Sequence, residues 1–177
     1  MSDIAEYGKA LFLLTEEEGT TEQVLGDVSA VRSLFCENPE YSKLLDTPAL
    51  AKEERVSLLD ASLRGLDKSL TNLIKILAEK HLAYHMVKVL DAYLALYDKT
   101  RGIERVEAIT ARPLTNEQAE RLKAKLASIT GKKIIIKNTL DTSILGGMKL
   151  RYSGTQLDGS VKTRLDTLER SLSSSVV

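Results

Sequence analysis

The sequence predicts an α + α/β chain: an N-terminal six-helix bundle over residues 1–102, followed by a small α/β domain over residues 103–177. Three observations carry that expectation. Apolar residues recur at helical spacing through the first hundred positions. After Arg101-Gly102 the pattern changes to alternation and short apolar runs. Charge changes sign at the same place, from 12 Lys+Arg against 17 Asp+Glu before it to 13 against 8 after it. A total charge of zero thus covers a bundle at −5 and a second domain at +5, as expected of two domains that meet different partners.

The helices can be placed in order. Ile4, Tyr7, Leu11 and Leu14 share one face of a first helix, which Gly19 is placed to end. Val24, Val28, Val31 and Phe35 line a second. Asn38-Pro39 reads as an N-cap and first helical residue of a short third helix through Leu45, broken at Thr47-Pro48. A fourth spans Ala51 to Leu63 and stops at Arg64-Gly65. The fifth starts near Asp67 and carries Leu70, Leu73, Ile74 and Leu77. The sixth runs from Leu82 to Tyr97 on Met86, Val89, Leu90, Tyr93 and Leu96.

In the second domain, Ile103 to Ala111 alternates as a strand with Val106, Ala108 and Thr110 on one face. Thr115-Asn116-Glu117-Gln118 is a capping box that opens a helix bearing Ala119, Leu122, Leu126 and Ile129, closed by Gly131. Lys132 to Lys137 and Met148 to Tyr152 read as strands, and Ser153-Gly154 turns into a return strand, Thr155 to Leu157. Ser160 is placed to cap a last helix on Val161, Leu165, Leu168 and Leu172, and Ser171 to Val177 is expected to fray.

Two helices are more apolar than one core contact needs. At about 100° per residue, helix 1 gathers its apolar residues in an arc of roughly 220° and helix 5 in about 200°, against the roughly 100° of a one-sided helix. Either they sit centrally in the bundle, or they offer a second apolar face to a partner helix.

Chemistry is harder to find. His81 and His85 stand four apart, but Leu82 holds the position where the metalloprotease pattern needs glutamate, and no acidic or cysteine cluster adds ligands. Gly131-Lys132 lacks the upstream glycine and following hydroxyl of a phosphate loop, which are Leu126 and Lys133 here. Asp158-Gly159-Ser160 reads as a turn and cap. No catalytic residue, metal or cofactor is expected. Cys36, the single cysteine, excludes an internal disulfide and is expected to be a small buried residue beside Phe35. Met1 to Glu6 lacks the character of a signal peptide, and no apolar run approaches the roughly 20 residues of a membrane span. Membrane association is therefore expected to go through a partner. RNA binding by the basic half is the rival function, weakened by its single aromatic, Tyr152.

A specific pattern covers Ile134 to Ser153: Ile134, Ile136, Leu140-Asp141, Ile144, Gly146-Gly147-Met148, Leu150-Arg151 and Ser153, continued by Asp158, Ser160, Leu165 and Leu168. Tyr7-Gly8-Lys9-Ala10-Leu11-Phe12 and Asn72 to Glu79 add to it upstream, as do Arg101-Gly102 and Pro113-Leu114-Thr115 at the junction. From end to end the chain resembles the delta subunits of F-type ATP synthases, counterparts of the mitochondrial oligomycin-sensitivity-conferring protein. It departs from that pattern at Glu6, where arginine is frequent, at Lys80-His81-Leu82 after helix 5, and at Thr155 after Gly154.

The resemblance implies a non-catalytic stator subunit without cofactor. Its bundle would bind N-terminal helices of the alpha subunits of the catalytic head, and its second domain the b subunits of the peripheral stalk. The expected setting is the cytoplasmic face of a bacterial plasma membrane, since no transit peptide is present. It implies a groove between helices 1 and 5, the two with wide arcs. Tyr7, Ala10, Leu11, Leu14, Leu73, Ile76 and Leu77 are the expected contacts, some of them also core. Gly146, Gly147, Asp158 and Ser160 are the expected structural signature.

Overall fold

The computed structural model describes residues 4–47, 51–144, 146–152 and 154–159, with the side chains of residues 52 and 53 outside that description. In order, the elements are α1 (Ile4–Glu17), α2 (Thr21–Glu37), α3 (Pro39–Asp46), α4 (Lys52–Ser62), α5 (Lys68–Glu79), a 3-10 turn (Ala83–His85), α6 (Met86–Thr100), β1 (Ile103–Thr110), α7 (Asn116–Thr130), β2 (Lys133–Leu140), β3 (Met148–Tyr152) and β4 (Thr155–Asp158). The chain is thus mixed helix and sheet, and its contacts part into two compact units between Tyr97 and Asp98.

In the first unit the core comes from single helix faces. Val24, Val28, Val31 and Phe35 of α2 are all buried, as are Met86, Val89, Leu90 and Tyr93 of α6. The Tyr93 ring meets Phe12 edge-on, with centroids 5.7 Å apart. Its hydroxyl lies 3.2 Å from the buried Thr15 hydroxyl and 3.4 Å from the Thr21 carbonyl. Burial holds the Tyr93 phenol above its ordinary range, so it stays a neutral hydrogen-bonding group.

Polar side chains fix the helix ends. Asp67 caps α5 by accepting from the Ser69 and Leu70 amides, while its own amide donates to Asp27 of α2 at 2.8 Å. At the other end His81 adopts φ 54° and the Leu82 amide donates to the Leu77 carbonyl at 2.8 Å, a left-handed closure of the last turn. The buried Arg55 of α4 donates to the carbonyls of Ala78 and Thr47, placing its charge at the negative ends of α5 and α3.

The second unit is a four-stranded sheet in the order β2-β1-β3-β4. β1 and β2 are parallel and joined through α7; β1–β3 and β3–β4 are antiparallel. The capping box at Thr115 and Gln118 forms with both hydrogen bonds, and Gly131 ends α7 at φ 67°. Every buried sheet residue (Glu104, Val106, Ala108, Thr110 and Ile134) lies on one face.

Four sequence expectations are corrected. Asn38 stands at the N-cap position of α3 with Pro39 after it, but its side chain makes no capping hydrogen bond there; its amide donates to the Leu34 carbonyl and closes α2 instead. Cys36 is exposed, because Phe35 holds the inward position on α2 and the next residue turns about 100° away. The sixth helix starts at Met86 rather than Leu82, since the Asp46 carboxylate accepts from the Ala83 and Tyr84 amides and holds that segment as the 3-10 turn. β2 extends to Leu140, because parallel pairing with β1 continues to Thr110. Pro48, Ser153 and the expected final helix with Val161, Leu165, Leu168 and Leu172 lie outside the described residues.

Candidate partner-binding site

α1 and α5 pack against each other. The Lys80 ammonium sits 6.0 Å from the centre of the Tyr7 ring, and the Ser69 hydroxyl donates to Glu18 at 3.5 Å. One tie joins the start of α1 to the end of α5, and the other joins the opposite ends. The helices therefore run antiparallel, and both ties imply the same register: Leu14 stands level with Leu73 and Ala10 with Leu77.

Burial sorts the seven expected contacts. Leu11 and Leu77 are core residues. Leu73, 9% exposed, lies at the margin, and Tyr7 is half-buried beside Lys80. Ala10 faces solvent, as do Leu14 at 42% and Ile76 at 45% exposure. The exposed members of the set, Ala10, Leu14 and Ile76, thus lie on the two helices that form the α1–α5 seam, with Leu73 at the margin and Tyr7 half-buried. The wide apolar arcs are not consumed by the core: each helix keeps part of its arc at the surface.

Charge bounds the seam. Lys80 stands at the Tyr7 end and the exposed Glu17 and Glu18 at the other. The eleven steps from Tyr7 to Glu18, just past the end of α1, span about 16 Å, or about three turns. An apolar strip of that length with charged ends can hold the apolar face of another helix.

Gly8 sets the orientation of the strip. A Cβ there would overlap the Val89 carbonyl oxygen of α6 and lie 3.0 Å from the Ala92 Cβ. α1 therefore touches the α6 backbone through Gly8, while Ala10, about 200° further round the helix, is left facing out. Gly8 and Lys80 are both missing from the sequence-derived contacts. The available signal was a glycine inside a strong helical pattern, which disfavours the helix unless packing requires it.

In the second unit Gly146 and Gly147 form the bend before β3, and Gly147 has φ 81°. Asp158 ends β4 in an ion pair with Lys149 at 3.5 Å, and the Gly159 amide donates to the Met148 carbonyl. Ser160 lies outside the described residues. A β-branched residue is strongly disfavoured at the Gly147 backbone angle. Gly147→Val is expected to lower stability by about 1–3 kcal/mol, read as an earlier loss of sheet signal in chemical denaturation; a wild-type midpoint would contradict this role.

The sequence model of the ATP synthase delta (OSCP) subunit matches residues 4–172 of this chain. The chain belongs to the ATP synthase delta (OSCP) subunit family. ATP synthase subunit delta of Oceanobacillus iheyensis is 31% identical over 167 residues, covering 94% of this chain and 92% of that protein. The subunit delta of Beijerinckia indica is 33% identical over 165 residues, covering 92% and 87%. A chain in the Toxoplasma gondii mitochondrial ATP synthase hexamer superposes with a TM-score of 0.75 at 27% identity, covering 97% of this chain and 98% of that one. As a delta/OSCP-family member, the chain is a non-catalytic peripheral-stalk subunit of ATP synthase. The RNA-binding alternative finds no support in these relatives. Among the described residues no helix is long and apolar enough to cross a membrane.

Proposed function

We propose that the two halves of this delta-family chain grip different parts of the complex. Residues 1–102, a six-helix bundle, receive the N-terminal helix of an alpha subunit in the α1–α5 seam. Residues 103–177 hold the distal end of the b subunits. The complex works at the bacterial plasma membrane, with this chain on its cytoplasmic face. The role is mechanical: the catalytic head must not turn with the central stalk, so proton-driven rotation is coupled to ATP synthesis only while both grips hold.

The observation that carries the reading is the row of exposed apolar residues, Ala10 and Leu14 beside Ile76, set against Leu73 by the antiparallel register. Hydrophobic surface left in a row between two helices suits a third amphipathic helix, whose own apolar side chains at i, i+3, i+4 and i+7 would fill it. Adding a peptide from the N-terminus of the alpha subunit to the isotope-labelled chain is expected to move the amide resonances of Tyr7, Ala10, Leu14, Leu73 and Ile76 in NMR spectra. Perturbation confined to α2 and α3 would place the site elsewhere.

A further inference from the structure

The second unit carries a surface that its packed face does not explain. Strand parity places Ile103, Arg105, Glu107 and Ile109 of β1 on the face opposite the buried residues. Their partners on β2 are Lys133, Ile135, Lys137 and Thr139. On β3, Arg151 pairs with Glu107 and Lys149 with Ile109. Gln156 and Asp158 of β4 complete the grid. No residue of this face is buried, and Ile135, on the edge strand β2, is 38% exposed and lines a depression of about 530 Å³ together with Arg105, Lys137, Arg151 and Tyr152.

The cations on this face outnumber the carboxylates. Arg105 is held by Asp98, Arg151 by Glu107 at 3.1 Å, and Lys149 by Asp158. Lys133 and Lys137 form no ion pair among the described residues, so two positive charges flank the exposed Ile135 along one strand. A solvated sheet face ordinarily alternates its charges. This one leaves two unpaired lysines on either side of an exposed isoleucine along the edge strand β2.

We propose that this open face is the docking surface for an acidic segment of the peripheral stalk, with one apolar side chain seated on Ile135 and carboxylates meeting Lys133 and Lys137. It rests on the reading that this half holds the b subunits, and it assigns that grip to one face of the sheet. Charge complementarity calls for an anionic partner, and the exposed Ile135 between the two lysines for one that also offers an apolar side chain. The one aromatic of the sheet, Tyr152, lines the depression by itself, and a single ring gives no platform for successive stacked bases.

The test titrates the full chain with the C-terminal segment of the b protein by calorimetry at two salt concentrations. The double variant Lys133→Glu and Lys137→Glu changes only exposed positions, so an unchanged melting curve is expected. Two reversed charges should weaken the segment by about tenfold or more at low salt, reduce its salt dependence and leave alpha-peptide affinity unaltered. Ile135→Ala should weaken it without changing the salt dependence. Wild-type affinity in the folded double variant would overturn the proposal and leave the stalk reading standing. No binding by the wild-type chain would remove the stalk reading and this proposal together. Binding of a single-stranded RNA oligonucleotide in place of the segment would also overturn it.

Discussion

Ile76→Asp is expected to cut affinity for the alpha N-terminal helix by well over tenfold in a chain that still folds. Ile76 is almost half exposed on α5, so in the free chain an aspartate there remains in water. In the complex the loss is double. An apolar anchor worth about 1.5–3 kcal/mol is removed, and a carboxylate takes its place against a desolvated helix face. Ala10→Asp should act alike from the α1 side. Leu77→Asp, one residue along, provides the contrast: Leu77 is fully buried, and its variant should lose the fold itself. Calorimetric titration paired with a thermal melt separates the two effects. A folded Ile76→Asp chain with wild-type affinity would move the alpha site away from this seam.

The largest stability effect is expected at Gly8. Elsewhere in a helix, replacing glycine with alanine strengthens it by about 1 kcal/mol. Here the new methyl group would overlap the Val89 carbonyl oxygen, a backbone atom that no side-chain rotation can clear. α1 would have to lift from α6, loosening the Phe12–Tyr93 contact and the hydrogen bonds around Thr15. Overpacking of this kind costs about 1–3 kcal/mol, occasionally more. Gly8→Ala is therefore expected to lower the denaturation midpoint, against its helix propensity. A rise would show that the α1–α6 approach is looser than the geometry indicates. Because α1 also carries Ala10 and Leu14, a displaced helix should weaken alpha binding as well.

Residues that declare themselves through their own segment were legible in the sequence. Val24, Val28, Val31 and Phe35 specify the inward face of α2 by spacing alone. The capping box at Thr115 and the alternation of β1 are local patterns, and both form. What stayed hidden depends on a second segment. Nothing near Gly8 in the chain announces Val89, and nothing near Arg55 announces the helix ends at Ala78 and Thr47. Asn38 had two helix ends within reach, and only the folded chain shows that it serves α2.

The candidate site divides in the same way. Periodicity marked α1 and α5 as too apolar, which is a property of each helix. Which residues of the arc remain exposed depends on how the helices meet. The way each helix is turned, fixed in α1 by the close approach of Gly8 to α6, sends Leu11 and Leu77 inward and leaves Ala10, Leu14 and Ile76 outside. Lys80, seen in the sequence only as a departure from the family pattern, places its ammonium 6.0 Å from the centre of the Tyr7 ring at one end of the seam. In the sheet, Lys133, Ile135 and Lys137 alternate along β2 alone, and what only the paired strands add is Arg105 of β1 and Arg151 of β3 around the same depression.

The central claim is that one chain holds head and stalk at once, and native mass spectrometry of three components tests it directly. The full chain would be mixed with the alpha N-terminal peptide and the C-terminal segment of the b protein. The expected result is a complex containing all three, from which Ile76→Asp removes only the alpha peptide. Binary complexes alone, with each ligand displacing the other, would contradict the claim.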